Sequence, residues 1–295
     1  MALDLIEQGY IPLDKSWIIR MGVLDLVRGY DDTIDFLRGQ TDFDLSGDLK
    51  ALYRASLDWR KGEAVDVGES GTLYRFLRYA AWKSDLNKKF VRRGTLWQRE
   101  ISDNREIINY SLEDLLKLDN GTSQWASAAV LLGHQETVAD PPYKLKLTYE
   151  AVAHWNEQRQ KGQGWSPRYD ETILSQAVAY LEILKKGRTN FVPKHSEDYC
   201  FARAFNLVTK EEGEARWPSL RGQESNRLLK MEETLRDADL EKEITSVDHR
   251  IVQAIVMRQA SQNKRVKIWH PEAVKKSWPQ FWKFLAAAPR LSREL

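Results

Sequence analysis

Cysteine is nearly absent: Cys200 stands alone, which excludes an internal disulfide framework and any multi-cysteine metal site. Histidine is scarce as well, with five residues and no HExxH-type spacing, so a histidine-based zinc site is poorly supported. An excess of charge of one sign is missing. Lys and Arg number 45 against 43 Asp and Glu, a net charge of +2, where a general nucleic-acid binder carries a clear basic surplus. No apolar run approaches the roughly eighteen residues that a transmembrane helix needs. The first residues, MALDLIEQGY, place Asp4 and Glu7 where a signal peptide needs a basic stretch and an apolar core. The expectation is a cytoplasmic protein without cofactor or metal. What the chain does have is 42% hydrophobic and 30% charged residues over 295 positions, enough for a core of one large domain or two ordinary ones.

One pattern recurs along the chain: a short run, a turn of small or polar residues, then an amphipathic helix. Asp14-Lys15-Ser16 precedes WIIRMGVLDLV, with Ser16 as the expected cap. Gly68-Glu69-Ser70-Gly71-Thr72 precedes LYRFLRYAAW, and Gly121-Thr122-Ser123-Gln124 precedes WASAAVLLG. Ser196-Glu197-Asp198 opens YCFARAFNLV, Gln223 to Asn226 opens RLLKMEETLRD, and Ser246-Val247-Asp248 opens HRIVQAIVMRQA. Ala64–Val67, KKFVRR, KLKLTY and VKIWH read as strands, so the rhythm predicts an α/β fold. Helix N-termini present unpaired N–H groups and partial positive charge, and several of them converging would make an anion-binding cleft. Each taken alone is an ordinary cap.

The ordered set of motifs is more specific. It runs Asp14-Lys15-Ser16-x3-Arg20, Gly68-x2-Gly71-Thr72-x2-Arg75, Gly94-x4-Arg99, Thr122-Ser123-Gln124 and Pro142-Tyr143. It continues with Glu224-Ser225-Asn226-Arg227, Asp248-His249-Arg250 and Lys276-Ser277-Trp278-Pro279-x-Phe281. In this order the chain resembles the enolpyruvyl transferases, most closely the branch acting on shikimate 3-phosphate. The resemblance implies a two-domain fold of repeated βαβαββ units, helices inside and sheets outside, with substrates in a cleft between the domains. It places three repeat units in residues 13–159, and a second, discontinuous and shortened domain in residues 1–12 and 160–295.

The implied reaction moves the enolpyruvyl group of phosphoenolpyruvate to the 5-hydroxyl of shikimate 3-phosphate, or of a similar phosphorylated cyclic alcohol, and releases phosphate. Such chemistry needs proton donors and acceptors held near phosphates and a carboxylate. The resemblance assigns Lys15, Arg99, Arg227, Arg250 and Lys276 to the phosphate and carboxylate of phosphoenolpyruvate, with Gln124 touching the same substrate. Guanidinium groups hold such oxyanions bidentately. It assigns Ser16, Arg20, Thr122, Ser123 and Tyr143 to the ring and its 3-phosphate, and Gly71-Thr72 to close backbone approach. Lys15, Asp198 and Glu224 are its catalytic candidates: Glu224 for proton exchange at C3, and Asp198 as acceptor of the hydroxyl proton, with Glu197 as the neighbouring alternative. The implied partners are the two small phosphorylated substrates, with neither nucleic acid nor membrane.

The match has departures. The chain is shorter than ordinary members, and the missing repeat unit falls between Tyr143 and Asp198. Gln223 replaces the usual Lys before the Glu, Ser219 an Asn, and Asp140 a Ser that would meet the 3-phosphate. These changes also suit a catalytically inactive descendant that binds a phosphorylated ligand or a protein partner. Other features have plain readings. Of the eleven Trp, those on the motif helices (Trp17, Trp125, Trp278 and Trp282) read as core, Cys200 as an inert buried thiol, and KMEETLRDADLEKE as a solvated helix face. Arg75 reads equally as an anion ligand or as a tie between elements.

Overall fold

The computed structural model describes residues 2–41, 44–62, 64–133, 141–164, 166–221 and 226–294, without the side chains of residues 120 and 219. In chain order its α-helices are α1 (Ala2–Glu7), α2 (Lys15–Arg28), α3 (Asp32–Arg38), α4 (Gly47–Lys61), α5 (Gly71–Lys83), α6 (Leu112–Leu115), α7 (Leu118–Gly121) and α8 (Gln124–Leu131). They continue with α9 (Lys146–Gln160), α10 (Glu171–Lys186), α11 (Tyr199–Ala204), α12 (Lys210–Arg216), α13 (Arg227–Asp239), α14 (His249–Ser261) and α15 (Phe281–Glu294). Two strands of two residues each, β1 (Val65–Asp66) and β2 (Phe90–Val91), pair in parallel on either side of α5. A single parallel bridge joins Ile244 to Ile268.

The protein is therefore mostly helical, and the expected fold of repeated βαβαββ units is incorrect. Of the expected strands, Ala64–Val67 and KKFVRR shrink to β1 and β2, and VKIWH contributes only the bridge at Ile268. KLKLTY is a 3-10 turn (Tyr143–Leu145) running into α9. The reason lies in the residues that follow it. Leu145, Thr148, Ala151 and Trp155 are all buried, at spacings of three and four, so the helical period of the longer segment outweighs six residues of apparent alternation. Two short strands cannot build the outer sheets that such repeats require.

The chain divides into two compact units, Leu13–Arg168 and Met1–Pro12 with Tyr169–Leu295. In the continuous unit, Asp14 caps α2 by accepting from the Trp17 N–H at 3.0 Å, and Ser16 lies inside the helix instead of capping it. Trp17 to Leu26 are all buried, so α2 is covered on every side by α3, α4, α5 and α9. Its one buried acid, Asp25, accepts from the Thr33 N–H and hydroxyl, the Trp155 indole and Arg159, which satisfies the charge inside the core.

The discontinuous unit has two apolar clusters that share α14. Val252, Val256 and Met257 face Tyr180, Trp278, Phe281 and Phe284, while Ile251, Ala254 and Ile255 face Tyr199, Cys200 and Met231. Leu5, Tyr10 and Ile11 complete the first cluster, and the Trp278 indole donates to the Tyr10 carbonyl at 2.7 Å. Buried Gln253 in α14 donates to the Val274 carbonyl and the Ser277 hydroxyl.

Candidate functional site

In the unit 13–168, helix α5 begins at a cap: the Ser70 hydroxyl accepts from the Leu73 N–H. One turn in, Arg75 is buried and committed at three points. Its Nε donates to Asp119 Oδ2 at 2.6 Å, and its Nη1 to Gln124 Oε1 at 2.6 Å and to the Gly71 carbonyl at 3.3 Å. A Cβ built on Gly71 would lie 3.0 Å from Arg75 Nη1 and 3.4 Å from Arg99 Nη1, so both guanidinium groups approach the backbone closely at this glycine. Arg99 also donates through Nη2 to the Thr95 hydroxyl at 2.9 Å. Gly71, Thr72, Arg99 and Gln124 thus share one neighbourhood, with Thr122 and Ser123 in the α7–α8 junction beside Gln124.

Asp119 is the residue that sequence reasoning missed. It accepts from the Ser102 N–H at 2.9 Å, the Ser102 hydroxyl at 2.7 Å and the Trp125 indole at 2.9 Å, in addition to Arg75. Burial pushes its carboxyl up, but the Ser102 hydrogen bonds and the Arg75 charge outweigh this and hold it below the usual carboxylate range. Its only signal in the sequence is an acid five residues before Gln124.

The start of α2 carries other candidates. Lys15 pairs with Asp48 at 2.8 Å. Arg20 donates through Nη1 to the Ser16 carbonyl at 2.7 Å and through Nε to Thr148 at 2.9 Å, and Thr148 in turn donates to Ser127 at 3.0 Å. The Arg20 guanidinium also lies 5.5 Å from the Phe76 ring centre. Burial pulls its pKa down to about 10 against the opposing charge of Asp14. This arginine ties α2 to α8 and α9. Tyr143, at the start of the 3-10 turn before α9, is exposed.

In the other unit a second set gathers where α11, α13 and α14 begin. Arg227, the first residue of α13, donates to Asp248 Oδ2 at 2.8 Å. Asp248 caps α14 by accepting from the Arg250 N–H at 3.0 Å. Arg250 Nη2 lies 3.1 Å from Glu197 Oε1. Burial disfavours the charge on Arg227, but Asp248 and its neighbours overcome this and raise the pKa of the guanidinium. Burial likewise dominates at Cys200, pushing the thiol up to about 12 despite Arg227 and Arg250 nearby.

Asp198 accepts from the Lys194 and His195 N–H groups and from Gln176, at 2.9, 3.0 and 2.9 Å. Those three donors hold the turn that opens α11. Glu197, half exposed, carries the more accessible carboxylate. Lys276 is half-buried at the end of the 3-10 turn 271–276, an element packed against α14. Glu224, Gln223 and Asp140 lie outside the described residues, as does the side chain of Ser219.

Chemically, both sets combine guanidinium groups with helix starts, and both contain carboxylates that pair with them. Such sets can hold oxyanions by charge-assisted hydrogen bonds. Among the described residues no group of three or more His, Cys, Asp or Glu is placed to hold a metal ion, and no helix is long and apolar enough to cross a membrane. Comparison with protein-family models, with curated proteins and with solved structures finds no match to this chain.

Proposed function

We propose that the chain binds phosphoenolpyruvate together with a phosphorylated cyclic alcohol, shikimate 3-phosphate being the reference acceptor, and transfers the enolpyruvyl group between them. The helical fold lends this reading no support, so it stands on the site residues. The observation that carries it is the convergence of Gly71, Arg75, Arg99 and Gln124, drawn from three separate motifs, into one neighbourhood, with Arg75 hydrogen-bonded to Gly71 and Gln124 and Arg99 close to Gly71.

In this reading Arg99 and Gln124 hold the phosphate or carboxylate of phosphoenolpyruvate. Arg20, Ser16, Thr122, Ser123 and Tyr143 serve the acceptor. The acceptor oxygen forms a bond to C2 while C3 takes up a proton; loss of a C3 proton and of phosphate then restores the double bond. Cations near the phosphates stabilise the charge that builds on the departing group. The proton of the acceptor hydroxyl passes to a carboxylate acting as general base.

A second reading is favoured by one specific observation: Lys15, Arg75, Arg227 and Arg250 each pair with a carboxylate, Asp48, Asp119, Asp248 and Glu197 respectively. Pairing of this kind suits a protein that binds a phosphorylated ligand without turning it over. Phosphate release from phosphoenolpyruvate plus shikimate 3-phosphate separates the two. Release that depends on both substrates, with Arg99→Ala raising the phosphoenolpyruvate requirement roughly tenfold or more, supports the transferase. Binding of phosphoenolpyruvate without release supports the second reading, and absence of binding overturns both.

A further inference from the structure

The carboxamide of Gln124 has two unlike ends, and only one suits an anion. Its oxygen would repel a phosphate or carboxylate, whereas its NH2 group would donate to it. Which end is presented depends on the partner of the other. Arg75 Nη1 is a pure donor, so at 2.6 Å it can face only the carboxamide oxygen, and the NH2 group is what remains for a ligand.

Arg75 is in turn aimed by Asp119. A guanidinium presents its five N–H donors in a rigid fork, so fixing Nε on Asp119 Oδ2 fixes the direction of Nη1. Asp119 cannot easily swing away. Ser102 holds Oδ1 through both its N–H and its hydroxyl, and the Trp125 indole shares Oδ2 with Arg75. The carboxylate and the guanidinium are both almost fully buried, with 4% and 8% of their side-chain surface exposed, so water competes little for either.

We infer that Asp119 is a positioning residue: through Arg75 it holds the Gln124 carboxamide so that its NH2 group donates to a bound oxyanion. This rests on the reading that the cluster takes phosphoenolpyruvate. Asp119 touches no ligand itself; its effect passes through two hydrogen bonds in series.

Calorimetric titration of phosphoenolpyruvate into the full chain tests it, with Asp119→Asn, Gln124→Ala, the double variant and Gln124→Glu, each checked for folding by circular dichroism. Asp119→Asn and Gln124→Ala are each expected to weaken binding roughly tenfold, since one charge-assisted contact is lost in both. The double variant should bind about as weakly as either single one, because both remove the same donor. Gln124→Glu keeps an oxygen for Arg75 but turns a second oxygen toward the ligand, so binding should fall below that of Gln124→Ala while thermal stability is kept. Should Asp119→Asn fail to fold, Arg75→Lys, which lacks the fork, takes its place in the cycle with the same expected loss. Weakened binding in Gln124→Ala with parental binding in the Asp119 or Arg75 variant overturns the positioning role and leaves the phosphoenolpyruvate reading standing. Fully additive losses overturn it equally. A parent chain that does not bind phosphoenolpyruvate overturns that reading, and this inference falls with it.

Discussion

A buried carboxylate is a stability statement as well as a structural one, and Asp119 makes it with a definite sign. The folded protein holds this carboxyl below its usual value of about 3.9. Just below pH 4 the unfolded chain therefore binds more protons than the folded one, and stability rises with pH through that interval. The contribution is complete above the unfolded value and is lost as pH falls through the folded one. Asp66 works in the same direction: burial raises its carboxyl, and the Gly68 N–H and Arg93 more than offset that. Asp119→Asn should lower the urea midpoint at pH 6, because removing one partner of a buried pair typically costs about 3–5 kcal/mol. It should also flatten the decline between pH 5 and 3. Urea titrations of parent and variant across that range check both effects, and parallel curves would show that the Asp119 carboxyl titrates alike in the folded and unfolded chain.

At the scale of elements, contact between α11 and α12 depends on the absence of a side chain. Gly213 lies in the middle of α12, and a Cβ there would collide with the ring of Tyr199, which is itself fully buried against Trp217. Gly213→Ala should therefore destabilise by about 1–3 kcal/mol, the usual cost of overpacking, even though alanine is the better helix former. A midpoint at or above the parent's would mean that the Tyr199 ring moves aside freely. The starts of several helices were legible in the sequence, although α2 is capped by Asp14 and not by Ser16. Ser70, Asn226 and Asp248 stand before helical periods, and each caps its helix through the side chain. The strands were not legible, because six residues of alternation in KLKLTY carry less information than the buried spacing of Leu145, Thr148, Ala151 and Trp155. The site divides in the same way. Gly71, Arg99 and Gln124 announce themselves through local motifs, but Asp119 acquires its meaning only from Arg75, 44 residues away, and a carboxylate gives no hint of a partner so distant.

At the scale of the molecule, the two units are closed by different means. The continuous one brings its own ends together: the Asp14 N–H donates to the Arg168 carbonyl at 2.7 Å, and the Arg168 guanidinium sits 5.1 Å from the Trp17 ring centre. The discontinuous one depends on a segment remote in sequence. Leu5, Tyr10 and Ile11 enter a core cluster otherwise built from residues after 168, Tyr10 meets the Phe284 ring edge-on at 6.2 Å, and Lys283 donates to the Gln8 carbonyl. Burying three such side chains stabilises by about 1.5–3 kcal/mol each before ordering entropy is counted, a large part of the 5–15 kcal/mol that usually holds a domain. The lost segment also leaves the buried Trp278 indole without its acceptor at Tyr10. A fragment of residues 13–168 should thus fold alone, with a helical spectrum and a cooperative urea transition. A fragment of residues 169–295 should show a broad or much lower transition, and a peptide of residues 1–12 added in excess should raise it by mass action. Equal and cooperative unfolding of the 169–295 fragment with and without that peptide would show that the core around Trp278 and Phe284 closes without Leu5, Tyr10 and Ile11.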